Sequence, residues 1–363
     1  KMPIVVNSNT TATTASFNLS SANESLRKSL ARLSSGKRIV SPADDAGGLA
    51  VAYKLSSKLT RTEAVRQNLQ NGISYLQVQD GALTTVAKIV DRMAELRTMA
   101  DDVTKNTQDV ENYSKEFIEL QRQLNQVRHE KFNGISLFSS SQSLSTENPP
   151  DLRPQLSKSS IAVDDMGRTY QIFSRQILTT ADGVVQDGSV SLNVVNLQHM
   201  LSLGGIDTRF ISTNTAASIS AAKIGSGTGT SDANGQNVFI NLGNVNDGNK
   251  NDFTVATTQN ELYTTDGLLK NIMFISMGSF TDIIQRVADS RAENGAEQSR
   301  LGMANELLIQ NQTNLEAAHG RIMDADVALE SSRFARQNVL VQASAAMVAQ
   351  ANQLTNIALQ ILG

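Results

Sequence analysis

The chain has 363 residues with 40% apolar content, enough for two or more compact units with real cores, yet only 4% of its residues are aromatic and none is Trp. Aliphatic helix seams are therefore favoured over a large globule built on rings. A formal charge of −3 and a pI near 5.7 supply no basic field for nucleic acid or anionic lipid, and the absence of Cys excludes disulfides and thiolate metal sites. No apolar stretch reaches the roughly 18 residues that a bilayer span requires, so no membrane partner is expected. The polar, Thr-rich start from Lys1 to Ser16 shows no cleavable secretory signal, and Lys1 ahead of Met2 reads as a tag remnant or an alternative start.

From about Ala15 to Phe138, Gly and Pro are sparse and apolar residues recur at helical spacing. Leu19, Ala22, Leu26, Leu30 and Leu33 follow steps of three and four that end at Ser34-Ser35-Gly36, a helix stop. Ser41, Pro42, Asp44 and Asp45 then read as the next helix start: a capping hydroxyl, a first-turn proline and negative charge on the positive end of the helix dipole. Val86, Met93 and Ala100 interleave with Ile89, Leu96 and Val103 in a heptad register, and Phe117, Leu120, Leu124 and Val127 repeat it beyond a turn near Asp101 to Asn112.

Between about Ser139 and Ser276 the chain turns rich in Gly, Ser, Thr and Asn, with Pro149, Pro150 and Pro154 at the border. Ile161 and Val163 before Asp164-Asp165-Met166-Gly167, then Tyr170 and Ile172, suggest a hairpin. Val238, Ile240 and Leu242 alternate, as do Phe253 and Val255, so this middle reads as β-rich.

After Phe280 the helical pattern returns. Leu301, Leu308, Leu315 and Ile322 are spaced by seven. Beyond the candidate caps Asp324 and Asp326, the pairs Leu340/Val341, Met347/Val348, Leu354/Thr355 and Ile361/Leu362 also repeat every seven, with Ser344, Ala351 and Ala358 between them. Burying such a helix against one partner offsets little of the entropy of ordering it, so it points to packing by several copies together. The expected subunit-packing seam therefore comprises Leu19, Leu26 and Leu33, then Leu301, Leu308 and Leu315, then Leu340, Val341, Met347, Val348, Leu354 and Ile361.

No catalytic, cofactor or metal site emerges. His129, His199 and His319 are scattered, and His129-Glu130 lacks the second His of a zinc-protease helix. Gly225-Ser226-Gly227-Thr228-Gly229 lacks the Lys-Ser/Thr of a phosphate-cradling loop and reads as a flexible segment. The fold class expected is mainly α: a long helical-hairpin or coiled-coil rod formed by both chain ends, with a β-rich domain inserted between them. The divisions fall at 1–40, 41–138, 139–276, 277–323 and 324–363. A chemoreceptor hairpin would show similar heptads, but it would need a membrane anchor or sensor and would not house a β-rich insert; an enzyme carried in the insert is a third class.

The stretch from Ser34-Ser35-Gly36-Lys37-Arg38-Ile39 through Ser41-Pro42-Ala43-Asp44-Asp45-Ala46-Gly47-Gly48-Leu49-Ala50 closely resembles the bacterial flagellins. The likeness continues through Asn71-Gly72-Ile73-Ser74, Gly81-Ala82-Leu83 and Phe132-Asn133-Gly134. It resumes at Gly320-Arg321-Ile322-Met323-Asp324-Ala325-Asp326 and at Ala349-Gln350-Ala351-Asn352-Gln353. The resemblance implies an extracellular helical homopolymer, the flagellar filament, with residues near 1–36 and 326–363 in an inner tube, 42–138 and 280–320 in a surrounding rod, and the middle facing outward. It also implies flagellar cap and hook-junction proteins as neighbours, an export chaperone on the C-terminal helix, and export without a cleavable signal. A hook-filament junction protein of the same superfamily is the alternative. Flagellins seen by a Toll-like innate receptor present an Arg, a Leu and a Glu on the rod helices, and the matching positions here are Arg92, Leu96 and Glu119.

Overall fold

The structure, a computed structural model, describes residues 9–139, 157–163, 169–183, 188–203, 242, 264 and 268–362; within these, the side chains of 157–163, 169–171, 198 and 354–362 are not described. In chain order it runs through α1 (Thr10–Ser35), α2 (Ala46–Ala100), α3 (Thr107–Arg128), the strands β1 (Lys131–Phe132) and β2 (Ile135–Ser136), then β3 (Ser157–Val163), β4 (Thr169–Leu178) and β5 (Ser189–Val194). A single turn, α4 (Leu197–Met200), and a 3-10 turn (Ile272–Phe274) precede α5 (Met277–Met323) and α6 (Val327–Leu362). Among the described residues the chain is mostly helical with a small sheet in its central part, the mainly α class read from the sequence. It divides into two compact units, residues 1–63 with 309–363, and residues 64–308.

The first unit is organised by α1 and α6 lying antiparallel. Asn9, the N-cap of α1, accepts from Ala12 N through its side-chain oxygen and donates from Nδ2 to the Ala351 carbonyl at 2.9 Å. At the other end, Gly36 closes α1 in the left-handed region at φ 69°, and its carbonyl accepts from Ala325 N at 2.9 Å. A side chain at this φ would be strained, so glycine is the residue that lets α1 stop and the chain turn at once. Arg38 caps the C-terminal end of α5. Its backbone N–H donates to Met323 O at 2.6 Å, and its Nε and Nη2 donate to Ile322 O at 3.0 and 2.8 Å, where the dipole favours a cation. Ile39, Ala52 and Met323 are buried beneath this joint, with Leu49 and Ile322 against them.

The residues read as one helix start divide their roles. α2 begins at Ala46, and its first turn is capped by Asp45, whose Oδ1 accepts from Gly48 N at 2.8 Å. Asp44 instead faces backwards. Its Oδ2 accepts from Val40 N and Ser41 N, and its Oδ1 meets Lys28 Nζ of α1 at 2.5 Å. Ser41 therefore belongs to the turn before the helix and does not cap it. The Lys28 bond and two backbone donors hold the Asp44 carboxyl down to about 2, against burial, which pushes the other way.

The second unit packs α3 and parts of α2 and α5 around an aliphatic core that includes Leu69, Leu76, Leu83, Met93, Leu96, Phe117, Leu124, Phe280 and Leu301. α2 ends at Ala100, so Val103, expected to extend its heptads, falls in the connecting turn and is fully exposed. Asn106 restarts the helix with a capping box, accepting from Asp109 N while Asp109 Oδ2 accepts from Asn106 N. The anticipated hairpin is present as β3 and β4, with Ile161 opposite Gln171 and Val163 opposite Thr169. β5 adds a third antiparallel strand on the other side of β4. Its Val190 and Leu192 join the helical core. Leu242 of the expected alternating runs is buried in this core, whereas Val238, Ile240, Phe253 and Val255 lie outside the described residues, as does the turn Asp164 to Gly167.

Candidate functional site

α1 and α6 each present a stripe toward the other. On α1 the partly or fully covered positions include Ala12, Ala15, Leu19, Ala22, Leu26, Ser29 and Leu33, in alternating steps of three and four. Ser29 takes the seam position, and Leu30, read as part of the stripe, is exposed. On α6 the matching series runs Glu330, Phe334, Gln337, Val341, Ser344, Val348 and Ala351. Small residues at several of these places allow the two helices a close approach.

Two of the seven-residue pairs of α6, Leu340/Val341 and Met347/Val348, are thereby split. Val341 and Val348 are partly covered, whereas Leu340 is 45% and Met347 65% exposed. Val341 and Val348 of the first two pairs thus face α1, at the heptad spacing that the two helices share. Leu354 and Ile361 lie within α6, but their side chains are outside those described. Phe17 on α1 is 74% exposed, which adds a ring to the uncovered apolar surface of this unit.

On α5, Leu301 and Leu308 are buried in the core of the second unit, and Leu315 is partly covered in the first. The first two are consequently corrected as subunit-packing residues. The Gly72 position on α2 explains the local packing: a Cβ built there would run into Ile177 Cδ1 of β4 and meet Leu301 Cδ1 at 3.5 Å. With no side chain at residue 72, the Ile177 tip lies close against the helix, and a Cβ there would force that tip to shift.

The expected receptor triplet does not form one exposed patch. Arg92 and Glu119 keep exposed side chains on α2 and α3, but Leu96 is 0% exposed and sits in the core. Arg92 Nε binds Glu116 Oε1 and its Nη1 binds Glu95 Oε2, each at 2.8 Å, while Glu119 pairs with Arg122. The Glu116 and Glu95 carboxylates raise the Arg92 pKa above its ordinary value.

A polar cluster that the sequence reading missed lies where β5 meets α2 and α5. The Asn193 N–H donates to Glu297 Oε1 at 2.9 Å and Oε2 at 3.1 Å, its Nδ2 donates to Glu293 Oε2 at 2.9 Å, and its carbonyl accepts from Gln79 Nε2 at 3.4 Å. Gln79 also donates to Leu137 O, Tyr75 OH donates to Leu137 O at 3.2 Å, and buried Asn294 donates to Leu76 O at 3.1 Å. No sequence spacing joins residues 79, 193 and 297; only the register of β5 does. Among the described residues, no group of three or more His, Cys, Asp or Glu is placed to hold a metal ion, and no helix is long and apolar enough to cross a membrane.

The bacterial flagellin N-terminal helical region matches residues 6–143, and the bacterial flagellin C-terminal helical region matches residues 277–362, together more than half of the chain. The chain is 28% identical to the flagellin of Bacillus subtilis strain 168 over 360 residues, covering 98% of this chain and 99% of that one. It is 27% identical to flagellin A of Vibrio cholerae, covering 99% and 100%, and 26% identical to the flagellar filament 33 kDa core protein of Treponema phagedenis, also covering 99% and 100%. Motifs from both chain ends meet at the Arg38 to Ile322 joint, matched heptads run along α1 and α6, and both ends match the same family: the chain belongs to the bacterial flagellins and is a structural subunit of the extracellular flagellar filament.

Proposed function

We propose that this subunit assembles with copies of itself into the swimming filament through coiled-coil packing of its terminal helices, with α1 and α6 acting as one unit. The observation that carries this reading is the division of α6 into two stripes. Val341, Ser344, Val348 and Ala351 face α1, while Leu340 and Met347 stay exposed seven residues apart. An exposed apolar stripe at heptad spacing on an already paired helix is suited to a further helix, and in a homopolymer that helix comes from another copy. Leu354 and Ile361 continue the spacing toward the C-terminus.

The same reading takes flagellar cap and hook-junction proteins as filament neighbours and a cytoplasmic export chaperone as the partner that covers α6 before assembly. For innate recognition it retains Arg92 and Glu119, whose side chains are exposed, as contacts, while Leu96 stays in the core. The test is seeded polymerisation of purified protein, followed by light scattering and electron microscopy. Leu340→Glu combined with Met347→Glu should raise the concentration needed for filaments by about tenfold or more, since burying each of these side chains contributes about 1.5–3 kcal/mol. Unchanged polymerisation of the double variant would remove the outward stripe from the assembly surface.

A further inference from the structure

Three polar groups of Asn193 are held by helix side chains: its N–H by both oxygens of Glu297, its carbonyl by Gln79 and its side-chain Nδ2 by Glu293. In the ladder, Asn193 is paired with Ser174 of β4, so the Glu297 contact lies along the edge of β5 away from β4. An acid on α5 thus closes a strand edge that carries Val190 and Leu192 into the core. The charged and titratable groups around it are Glu293 and Arg300 on α5 and Tyr75 on α2, with Arg175 of β4 lying 5.8 Å over the Tyr75 ring. The Asp80 to Arg291 ion pair at 2.9 Å also joins α2 to α5, outside this cluster.

We propose that Glu297 is a proton-operated latch on the β5 edge, its neutral form holding the three-stranded sheet on α2 and α5 more firmly than its ionised form. The neutral acid still offers a carbonyl oxygen to the Asn193 N–H, while ionisation places a charge in a half-buried site beside a second carboxylate. Burial is the largest influence and pushes Glu297 up to about 7; Glu293 pushes the same way, while the Asn193 N–H and Arg300 pull down. With the docked value above the ordinary 4.5, the docked state retains a proton that the undocked state has released. The contribution to docking is therefore fully present below about 4.5 and is lost as pH rises through about 7. The sheet becomes easier to lift across the neutral range, where the ordinary carboxylates of the chain no longer titrate.

Hydrogen exchange on the unpolymerised full chain, read on segments covering Ser189–Val194 and corrected for the intrinsic pH dependence of exchange, tests this directly. Wild-type protein should open β5 about tenfold more at about pH 8 than at about pH 5.5, a figure reduced from the full pKa displacement because the site is only half buried. Glu297→Gln, which keeps a neutral acceptor for the Asn193 N–H, should abolish most of that dependence. Asp80→Asn, which removes the ion pair outside the cluster, should retain it. The proposal is overturned if wild-type β5 opens equally at both pH values, if Glu297→Gln titrates like wild type, or if Asp80→Asn is the variant that loses the dependence.

Discussion

Single residues carry two kinds of information that differ in how far the sequence exposes them. Gly36 and the Asp44-Asp45 pair are local devices, and their chemistry is written in a few neighbours. Even so, the sequence merged two carboxylates that the structure separates, because Lys28, the strongest partner of Asp44, lies on another helix. Since the folded Asp44 value is depressed from 3.8 to about 2, its contribution is present above about 3.8 and lost as pH falls through about 2. Acid unfolding followed by circular dichroism should show Asp44→Asn to be less stable than wild type at neutral pH, with the difference closing between about pH 4 and pH 2. A difference unchanged at pH 2 would mean that shape, and not charge, sets the role of Asp44. Gly72 shows the opposite limit: nothing beside it in sequence announces Ile177. Gly72→Val should lower stability by about 1–3 kcal/mol in thermal denaturation through overpacking, and Ile177→Ala in the same chain should recover part of the loss. Full stability of Gly72→Val alone would show that β4 does not need this close approach.

At the scale of elements, heptad spacing located the helices well because apolar periodicity depends only on the chain itself. Val86, Met93, Leu96, Phe117 and Leu124, read as seam residues, are all buried. What periodicity does not contain is the direction in which each stripe points. Leu340 and Val341 are adjacent and similarly apolar, and only the register of α6 against α1 assigns Val341 inward and Leu340 outward. Leu301 and Leu308 were misassigned for the same reason, since a buried internal stripe and an assembly stripe share one spacing. The assignment makes the two α6 stripes separable by experiment. Val348→Glu should place a charge in the α1 and α6 seam and lower the helical signal of the monomer, whereas Met347→Glu should leave that signal unchanged. Equal helical content in the two variants would contradict the inward and outward division.

For the molecule as a whole, the helical ends and the change of composition between them were legible, but the packing boundary was not. The stretch from Ser139 to Ser276 reads as an insert, yet Val190, Leu192, Leu197, Leu201, Leu242, Leu269 and Ile272 from it lie in the same core as Leu76 and Phe117. Short apolar runs separated by long polar segments carry little periodic signal, and their burial is decided by distant helices. The Asn193 and Glu297 cluster was hidden on the same ground. Removal of residues 333–363 tests most directly the proposal that the α1 and α6 pair is the assembling part of this flagellin. That truncation takes away Val341, Ser344, Val348 and Ala351 together with the outward Leu340 and Met347, and leaves residues 64–308 untouched. Seeded polymerisation examined by electron microscopy should give long filaments from the full chain and none from the truncated chain, while circular dichroism of the latter retains most of its helical signal. Filaments of normal length and stability from the truncated chain would contradict the account.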